Sequence, residues 1–359
     1  MQLICICYAI ISAYIAYSYY YSAIRKQTKM TIGLKQISNA TGYSISTVSR
    51  VLTNKISANS ISAKEILQVA REMGYSKYRS AVSPKNRVLD IALITQHYSE
   101  EFYAYLYSAF DKISLERNCT LTIHSVRHAK PLIDELSFLS KNHDGFILFL
   151  PTLDPFSYNK IKETMNNYPI VSIAPSFEAV FDTYTFDSYL GGSLAAKAFL
   201  EEGYTKFGII RGPLQKWEAA LRRNGFKDTV ENEGHKVIWD YKGDYSFESG
   251  EKAFHDIVKK KNKDIGIFAS NDQMAVGFIH AALEHNKQIP KDYAIIGYDN
   301  ILFSKIFFPK LTTIDTDVDQ LSEEAIDQLI RRIKNEVNLN RSARKTLIPV
   351  ELIKRDTHK

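Results

Sequence analysis

The segment Gly42-Tyr43-Ser44-Ile45-Ser46-Thr47-Val48-Ser49-Arg50-Val51-Leu52 decides how the first part of this 359-residue chain is read. Gly42 is a turn residue, free to take a positive φ. After it, Ile45, Val48 and Leu52 share one helical face, and Ser46, Thr47, Ser49 and Arg50 share the other. A turn glycine leading into a helix with a small, polar, arginine-bearing outer face is the helix-turn-helix pattern. Short hydroxyl side chains let such a helix sit deep in a major groove, where an arginine can offer a bidentate fork to a guanine. A three-helix bundle with a solvated polar face would satisfy the same apolar spacing.

Working outward, Leu34, Ile37 and Ala40 give the preceding helix its apolar face. Downstream, Asn59 can cap a third helix in which Ile66, Val69, Ala70 and Met73 recur at i, i+3, i+4 and i+7, and Gly74 ends it. Charge follows the same division. The chain carries a formal +6, yet residues 30–88 hold nine lysines and arginines against Glu65 and Glu72 alone, which leaves residues 89–359 mildly acidic. A basic head on an acidic body suggests a polyanion-binding module joined to a unit with a different partner. With 45% hydrophobic and 24% charged residues the chain is an ordinary globular one, and its length implies two or three compact units. Three cysteines are too few for a disulfide scaffold and favour a reducing compartment.

From Val88 onward, buried β-rich runs alternate with amphipathic stretches. Candidate strands are Leu89–Thr95, Leu121–Ser125, Gly145–Leu150, Ile170–Ala174, Phe207–Arg211, Val237–Asp240, Ile265–Ala269 and Ala294–Tyr298. Helical stretches between them include 102–118, 188–202, 215–233, 247–261 and 273–286. The pattern predicts an α/β fold with parallel sheets, arranged as two doubly wound subdomains. Ligands in such folds bind beyond the carboxyl ends of the strands, in the cleft.

The Thr47-Val48-Ser49-Arg50-Val51 core is far more restrictive than a generic helix-turn-helix, and with Met73-Gly74-Tyr75 it resembles the DNA-binding signature of the lactose-repressor/galactose-repressor (LacI/GalR) family. The resemblance continues through Gly203-Tyr204-Thr205-Lys206-Phe207-Gly208, Arg222-Arg223-Asn224-Gly225-Phe226, Ser270-Asn271-Asp272-Gln273-Met274-Ala275-Val276-Gly277 and Ile296-Gly297-Tyr298-Asp299-Asn300. Leu311-Thr312-Thr313-Ile314 matches the family's strand returning to the first subdomain. The resemblance implies a body like a periplasmic sugar-binding protein, with two lobes joined by three crossings.

It also implies site residues. Ile45 and Ser46 would begin the recognition helix as base readers, with Arg50 as a base-contacting arginine, and Ser44, Thr47, Ser49 and Asn54 as phosphate or groove contacts. Arg222, Asn271 and Asp299 fall where the family holds sugar hydroxyls, and Asp187 matches an acidic residue after the first crossing. Tyr245 sits where relatives carry an aromatic against the sugar, and Phe102 and Tyr103 match aromatics on the loop after the first strand. The chemistry is coherent, because forked donors and paired acceptors suit vicinal hydroxyls and aromatic faces suit the apolar side of a pyranose. Each residue also has a plainer use: Asp299 in a turn, Tyr245 in packing, Asp272 as a cap for a helix from Gln273.

The expected divisions are residues 30–75 as DNA-binding domain, 76–87 as hinge and 88–359 as the two-lobed ligand-binding and dimerising body. The hinge departs from the family, since Pro84 stands where relatives have a minor-groove leucine and disfavours helix at Ser83. Lys77 and Arg79 can still hold phosphates there. Residues 1–29 contain an uncharged run from Leu3 to Ile24, long enough to span a bilayer but carrying six tyrosines and three serines. We expect translation to start at Met30, with a membrane anchor as the alternative.

No dinucleotide fingerprint, phosphate loop, nucleophile elbow or metal-ligand spacing occurs, so neither a cofactor nor a metal is expected, and no catalytic constellation supports an enzyme. The expectation is a cytoplasmic, homodimeric repressor that binds double-stranded operator DNA under the control of a carbohydrate effector. A membrane-tethered sugar receptor is the alternative, and Arg50 counts against it.

Overall fold

The computed structural model describes residues 32–53, 55–56, 60–73, 75, 87–96, 101–126, 131–173, 178–261, 263–337 and 342–359. Residues 1–29, Asn54, Asn59, Gly74 and the hinge segment 76–86, with Lys77, Arg79 and Pro84, lie outside them. The chain divides into two units between Arg87 and Val88. Among the described residues no helix is long and apolar enough to cross a membrane.

The first unit contains α1 (Leu34–Thr41), α2 (Ile45–Leu52) and α3 (Ile61–Glu72). Gly42 ends α1 at φ 74°, the left-handed conformation expected of the turn glycine. Ser44 caps α2 by accepting the Thr47 amide at 3.1 Å. The cap of α3 is Ser60, whose hydroxyl accepts from the Ala63 amide at 3.2 Å, and not the expected Asn59. Ile37, Val48, Val51, Leu52, Ala63, Ile66, Leu67 and Ala70 form the core. Ile45 is not in it: it is 47% exposed, because the inner face of this two-turn helix is filled by Val48, Val51 and Leu52. Ala40 is likewise exposed, leaving Ile37 as the buried anchor of α1.

The second unit holds two six-stranded sheets. In chain order its elements are β1 (Leu89–Thr95), α4 (Glu101–Glu116), β2 (Cys119–Ser125), α5 (Leu132–Leu139), β3 (Gly145–Phe149), α6 (Pro155–Thr164), β4 (Ile170–Ser172) and β5 (Asp182–Phe186). Next come α7 (Ser188–Glu201), β6 (Phe207–Arg211), α8 (Trp217–Asn232), β7 (Val237–Lys242), α9 (Phe247–Lys259), β8 (Ile265–Ala269), α10 (Asp272–Glu284), β9 (Tyr293–Asp299) and α11 (Leu302–Ile306). The unit closes with β10 (Thr312–Thr316), α12 (Val318–Ile333), β11 (Lys345–Ile348) and β12 (Val350–Ile353). The sheets run β11-β5-β4-β3-β1-β2 and β12-β10-β9-β8-β6-β7. All pairings are parallel except β10 with β12.

Both faces of each sheet are covered. Ile91, Leu93 and Ile147 pack on one face of the first sheet, while Ala92, Ile94, Phe146 and Leu148 pack on the other. This is the period-two alternation of a fully buried strand. The predicted strands are all present with small shifts at their ends. β5 escaped the apolar pattern because it is rich in polar residues. Buried Asp182 accepts from Gln328 Nε2 at 2.6 Å, Arg332 Nη2 at 2.7 Å and the Arg344 amide at 3.0 Å, so its polarity is satisfied inside.

The chain crosses between the sheets three times: after β5 at Asp187, after β10 at Asp317, and between β11 and β12. The Leu311–Ile314 segment does not itself return to the first lobe. It enters β10, which pairs with β9 in the second sheet, and the return comes one element later through α12, packed on β3, β4 and β5. The two helical crossings are built alike. Asp187 caps α7 through the Leu190 amide at 3.0 Å, and Asp317 caps α12 through the Gln320 amide at 2.8 Å.

Candidate functional site

On the first unit, Ser44, Ile45, Ser46 and Arg50 are exposed and Thr47 and Ser49 half-buried, so the N-terminal part of α2 presents one continuous hydroxyl-rich surface. Ser44 is already engaged, bonding the Ser46 and Thr47 hydroxyls at 2.8 and 2.9 Å. The exposure of Ile45 places an apolar side chain beside them, suited to contact with a thymine methyl.

In the second unit a cleft partly open to solvent lies between the lobes. Its two walls differ in chemistry. The first-lobe wall is apolar: Phe102 and Tyr103 of α4 meet edge to face at 5.6 Å, and Phe149 and Phe186 extend them from the ends of β3 and β5. The second-lobe wall is polar. Glu218 and Arg222 come from α8, Tyr245 from the loop after β7, Asn271 from the N-cap of α10, and Asp299 from the last residue of β9.

Arg222 is the hub of the polar wall. Its guanidinium lies 3.6 Å over the Tyr298 ring, Nη1 donates to the Ser270 carbonyl at 2.6 Å, and the same nitrogen lies 3.4 Å from Asp299 Oδ1. That last contact is an ion pair without hydrogen-bond geometry, because Asp299 Oδ1 has no hydrogen-bond partner. Burial pushes the Asp299 carboxyl up to about 7; Arg222 opposes the shift and Glu218 adds to it. Burial also pushes the Tyr245 phenol well above its usual range. Glu218 Oε2, Arg222 Nε and the Tyr245 hydroxyl are likewise buried without a hydrogen-bond partner among the described residues. Four polar atoms of mixed donor and acceptor character without protein partners thus belong to residues lining one cleft, where water or a ligand can satisfy them.

Local backbone geometry sets this wall. Tyr245 has φ 78°, and its ring lies against Gly212, where a Cβ would come within 2.4 Å of it. Asn271 Nδ2 donates to the Tyr245 carbonyl at 3.0 Å while its Oδ1 caps α10 through the Met274 amide at 3.0 Å, so this side chain holds the wall together as well as lining it. The cap is Asn271 rather than Asp272. Asp272 is fully buried one residue on, where it accepts from the Ile301 amide at 3.0 Å and the Thr313 hydroxyl.

Six of the seven candidate ligand residues thus converge: Phe102, Tyr103, Arg222, Tyr245, Asn271 and Asp299. Asp187 does not line the cleft. Its Oδ1 caps α7 at the first crossing, and the adjoining Ser188 lines the cleft. Glu218 was missed, although it lies four residues before Arg222 and so on the same helical face. Among the described residues no group of histidine, cysteine or acidic side chains could hold a metal ion.

The periplasmic binding protein-like domain family matches residues 196–358. The ribose operon repressor of Escherichia coli K12 is 30% identical over 311 residues, spanning 84% of this chain and 92% of its own. The chain belongs to the LacI/GalR family. The fold agrees: the lac repressor dimer bound to operator and the anti-inducer ONPF superposes with a TM-score of 0.75 at 21% identity, over 92% of this chain and 99% of its own. A LacI family transcriptional regulator from Enterococcus faecium with bound ribose gives 0.66 at 23% identity, over 75% and 98%. As a LacI/GalR member with a helix-turn-helix head and an interlobe cleft, the chain is a ligand-controlled, DNA-binding transcriptional repressor.

Proposed function

We propose that the controlling ligand is an uncharged sugar bound between the lobes, and that the protein acts in the cytoplasm as a homodimer on a pseudo-palindromic operator. The contrast between the cleft walls carries this reading. An aromatic wall suits the apolar face of a sugar ring, and two unpartnered carboxylate oxygens opposite a guanidinium suit hydroxyls that donate and accept. The bound ribose of the Enterococcus faecium regulator supports the class of ligand without fixing which sugar this chain takes. We read the cleft as a binding site and assign it no catalytic step. Thermal-shift screening of the chain against neutral and phosphorylated sugars tests this, because a ligand of the native state stabilises by mass action. Stabilisation by phosphorylated sugars alone would reject the reading.

Dimerisation is supported by an apolar surface on and after α11, where Leu302, Phe303, Ile306 and Phe308 are 47%, 42%, 62% and 81% exposed. The lac repressor relative is a dimer. Sedimentation of the chain should give a dimer at micromolar concentration, and a monomer would remove this element.

A sugar hydroxyl donating to Asp299 favours its ionised form, so affinity should rise as pH passes upward through about 7. Only about a tenth of this carboxyl is ionised at pH 6 and most of it at pH 8, so Kd should fall about tenfold between them. A flat profile by calorimetry would show that Asp299 does not accept from the ligand. On the head, Arg50→Ala should cost about 1–3 kcal/mol at one base pair of the operator in competition binding. If Arg50 instead holds a phosphate, the loss will be uniform over sequences and the salt dependence will weaken by about one counterion.

A further inference from the structure

We propose that Arg355, in the C-terminal tail, is the positioning residue that aims the Asp299 carboxylate into the cleft. Asp299 and Asn300 are consecutive non-glycine residues with φ 109° and 53°. Asparagine visits the left-handed region readily, but φ 109° at Asp299 lies outside it and persists only where its surroundings hold it. The hold here is on Asn300. Its Oδ1 accepts from Arg355 Nη2 at 2.6 Å and its Nδ2 donates to Asp315 Oδ1 at 2.8 Å, so the amide is gripped at both ends. Arg355 is fixed in turn, with Nη1 donating to the Leu311 carbonyl at 2.7 Å and the Ser304 hydroxyl at 3.1 Å.

The tail that carries Arg355 is itself anchored to the second sheet. The Arg355 amide donates to the Thr312 hydroxyl at 2.8 Å, and the Asp356 amide donates to the Lys310 carbonyl at 2.9 Å. Thr357 bridges neighbouring strands, receiving the Thr312 amide at 2.9 Å and donating to the Ile295 carbonyl at 2.7 Å. A rigid tail therefore presents a planar fork to Asn300, and Asn300 fixes the turn that ends β9 on Asp299. Arg355 does not line the cleft; the turn is its hydrogen-bonded route to Asp299, and its charge also acts on Asp272, next to the cleft residue Asn271.

This inference rests on the reading of Asp299 as a ligand contact, and a two-part experiment separates the two. The first part needs no ligand. Carboxyl NMR titration follows Asp299, assigned by its loss in Asp299→Asn, in the wild-type chain and in Arg355→Met. With its turn released, the carboxyl reaches water and should titrate about one pH unit or more lower. The second part measures Kd for whichever of D-ribose, D-galactose, D-glucose and cellobiose stabilises the wild-type chain most. Arg355→Met should weaken it about tenfold, yet by less than about twofold in an Asp299→Asn background, because residues acting through one group are not additive. Arg355→Lys, which keeps the charge without the fork, serves where Arg355→Met does not fold. An unchanged Asp299 titration, or an equal loss in both backgrounds, overturns the proposal. If none of the four sugars binds, the sugar reading is in question while the titration still decides the role of Arg355.

Discussion

Arg222→Ala eliminates stabilisation by the sugar ligand while the chain remains folded. The guanidinium brings three things to the cleft that alanine cannot: a buried donor at Nε, the positive charge beside Asp299, and the flat surface over Tyr298. Losing a buried, charge-assisted hydrogen bond at a binding site costs about 2–5 kcal/mol, or at least about thirtyfold in Kd. The fold tolerates the change for a reason visible in Asp299. Its carboxyl is already pushed up to about 7, so it can take a proton when its cation is removed and leave no stranded charge. Arg222→Lys keeps the charge but not the fork and should recover only part of the affinity. Calorimetry and thermal melting with and without sugar measure both effects. A variant that melts normally and still shifts with sugar would remove Arg222 from the site.

Gly225→Ala has the largest expected effect on stability. In the second lobe α7 and α8 approach until backbone meets backbone. A Cβ on Gly225 would lie 2.0 Å from the Tyr189 carbonyl oxygen, and one on Gly192 would lie 2.0 Å from the Arg222 carbonyl oxygen. Neither contact can be relieved by a side-chain rotation, so the helices must separate along a boundary that buries Phe199 and Phe226. Overpacking of this kind costs about 1–3 kcal/mol, or a melting temperature roughly 2–12 °C lower in a unit of this size. It should also weaken ligand binding below the melting range, because α8 carries Glu218 and Arg222 and α7 begins at the first crossing. A melting point within about 1 °C of wild type would show that the helix contact is softer than the structure implies.

The head and most strands were legible in the sequence because burial there follows one simple period. β8 is an unbroken apolar run, β1 is mainly apolar apart from Asp90 and Thr95 and β6 apart from Arg211, and α2 announces itself through Gly42 and the hydroxyl face. What was illegible depends on partners distant in the chain. β5 reads as polar until Gln328, Arg332 and Arg344 are seen to satisfy Asp182. Ile45 fits the apolar spacing of α2 yet stays exposed, since spacing cannot say how far a neighbouring helix reaches. Within the cleft, Arg222, Asn271 and Asp299 were found through the resemblance. Glu218 needed the helical register, and the helix-capping use of Asp187 could not be told from a ligand carboxylate in the sequence. Arg355 lies 133 positions from Arg222 and nothing local marks it; only the folded tail brings it to Asn300.

The central claim is that a sugar in the cleft governs DNA binding by the head. It is tested most directly by titrating the chain onto DNA from upstream of its own coding sequence, at two salt concentrations, with and without the sugar that stabilises it. Salt-sensitive, sequence-preferring binding is expected, with an affinity that saturating sugar changes by about 5- to 150-fold, the usual span of coupling between sites. Binding that does not distinguish this DNA from unrelated sequence, or an affinity that the bound sugar leaves unchanged, would contradict it.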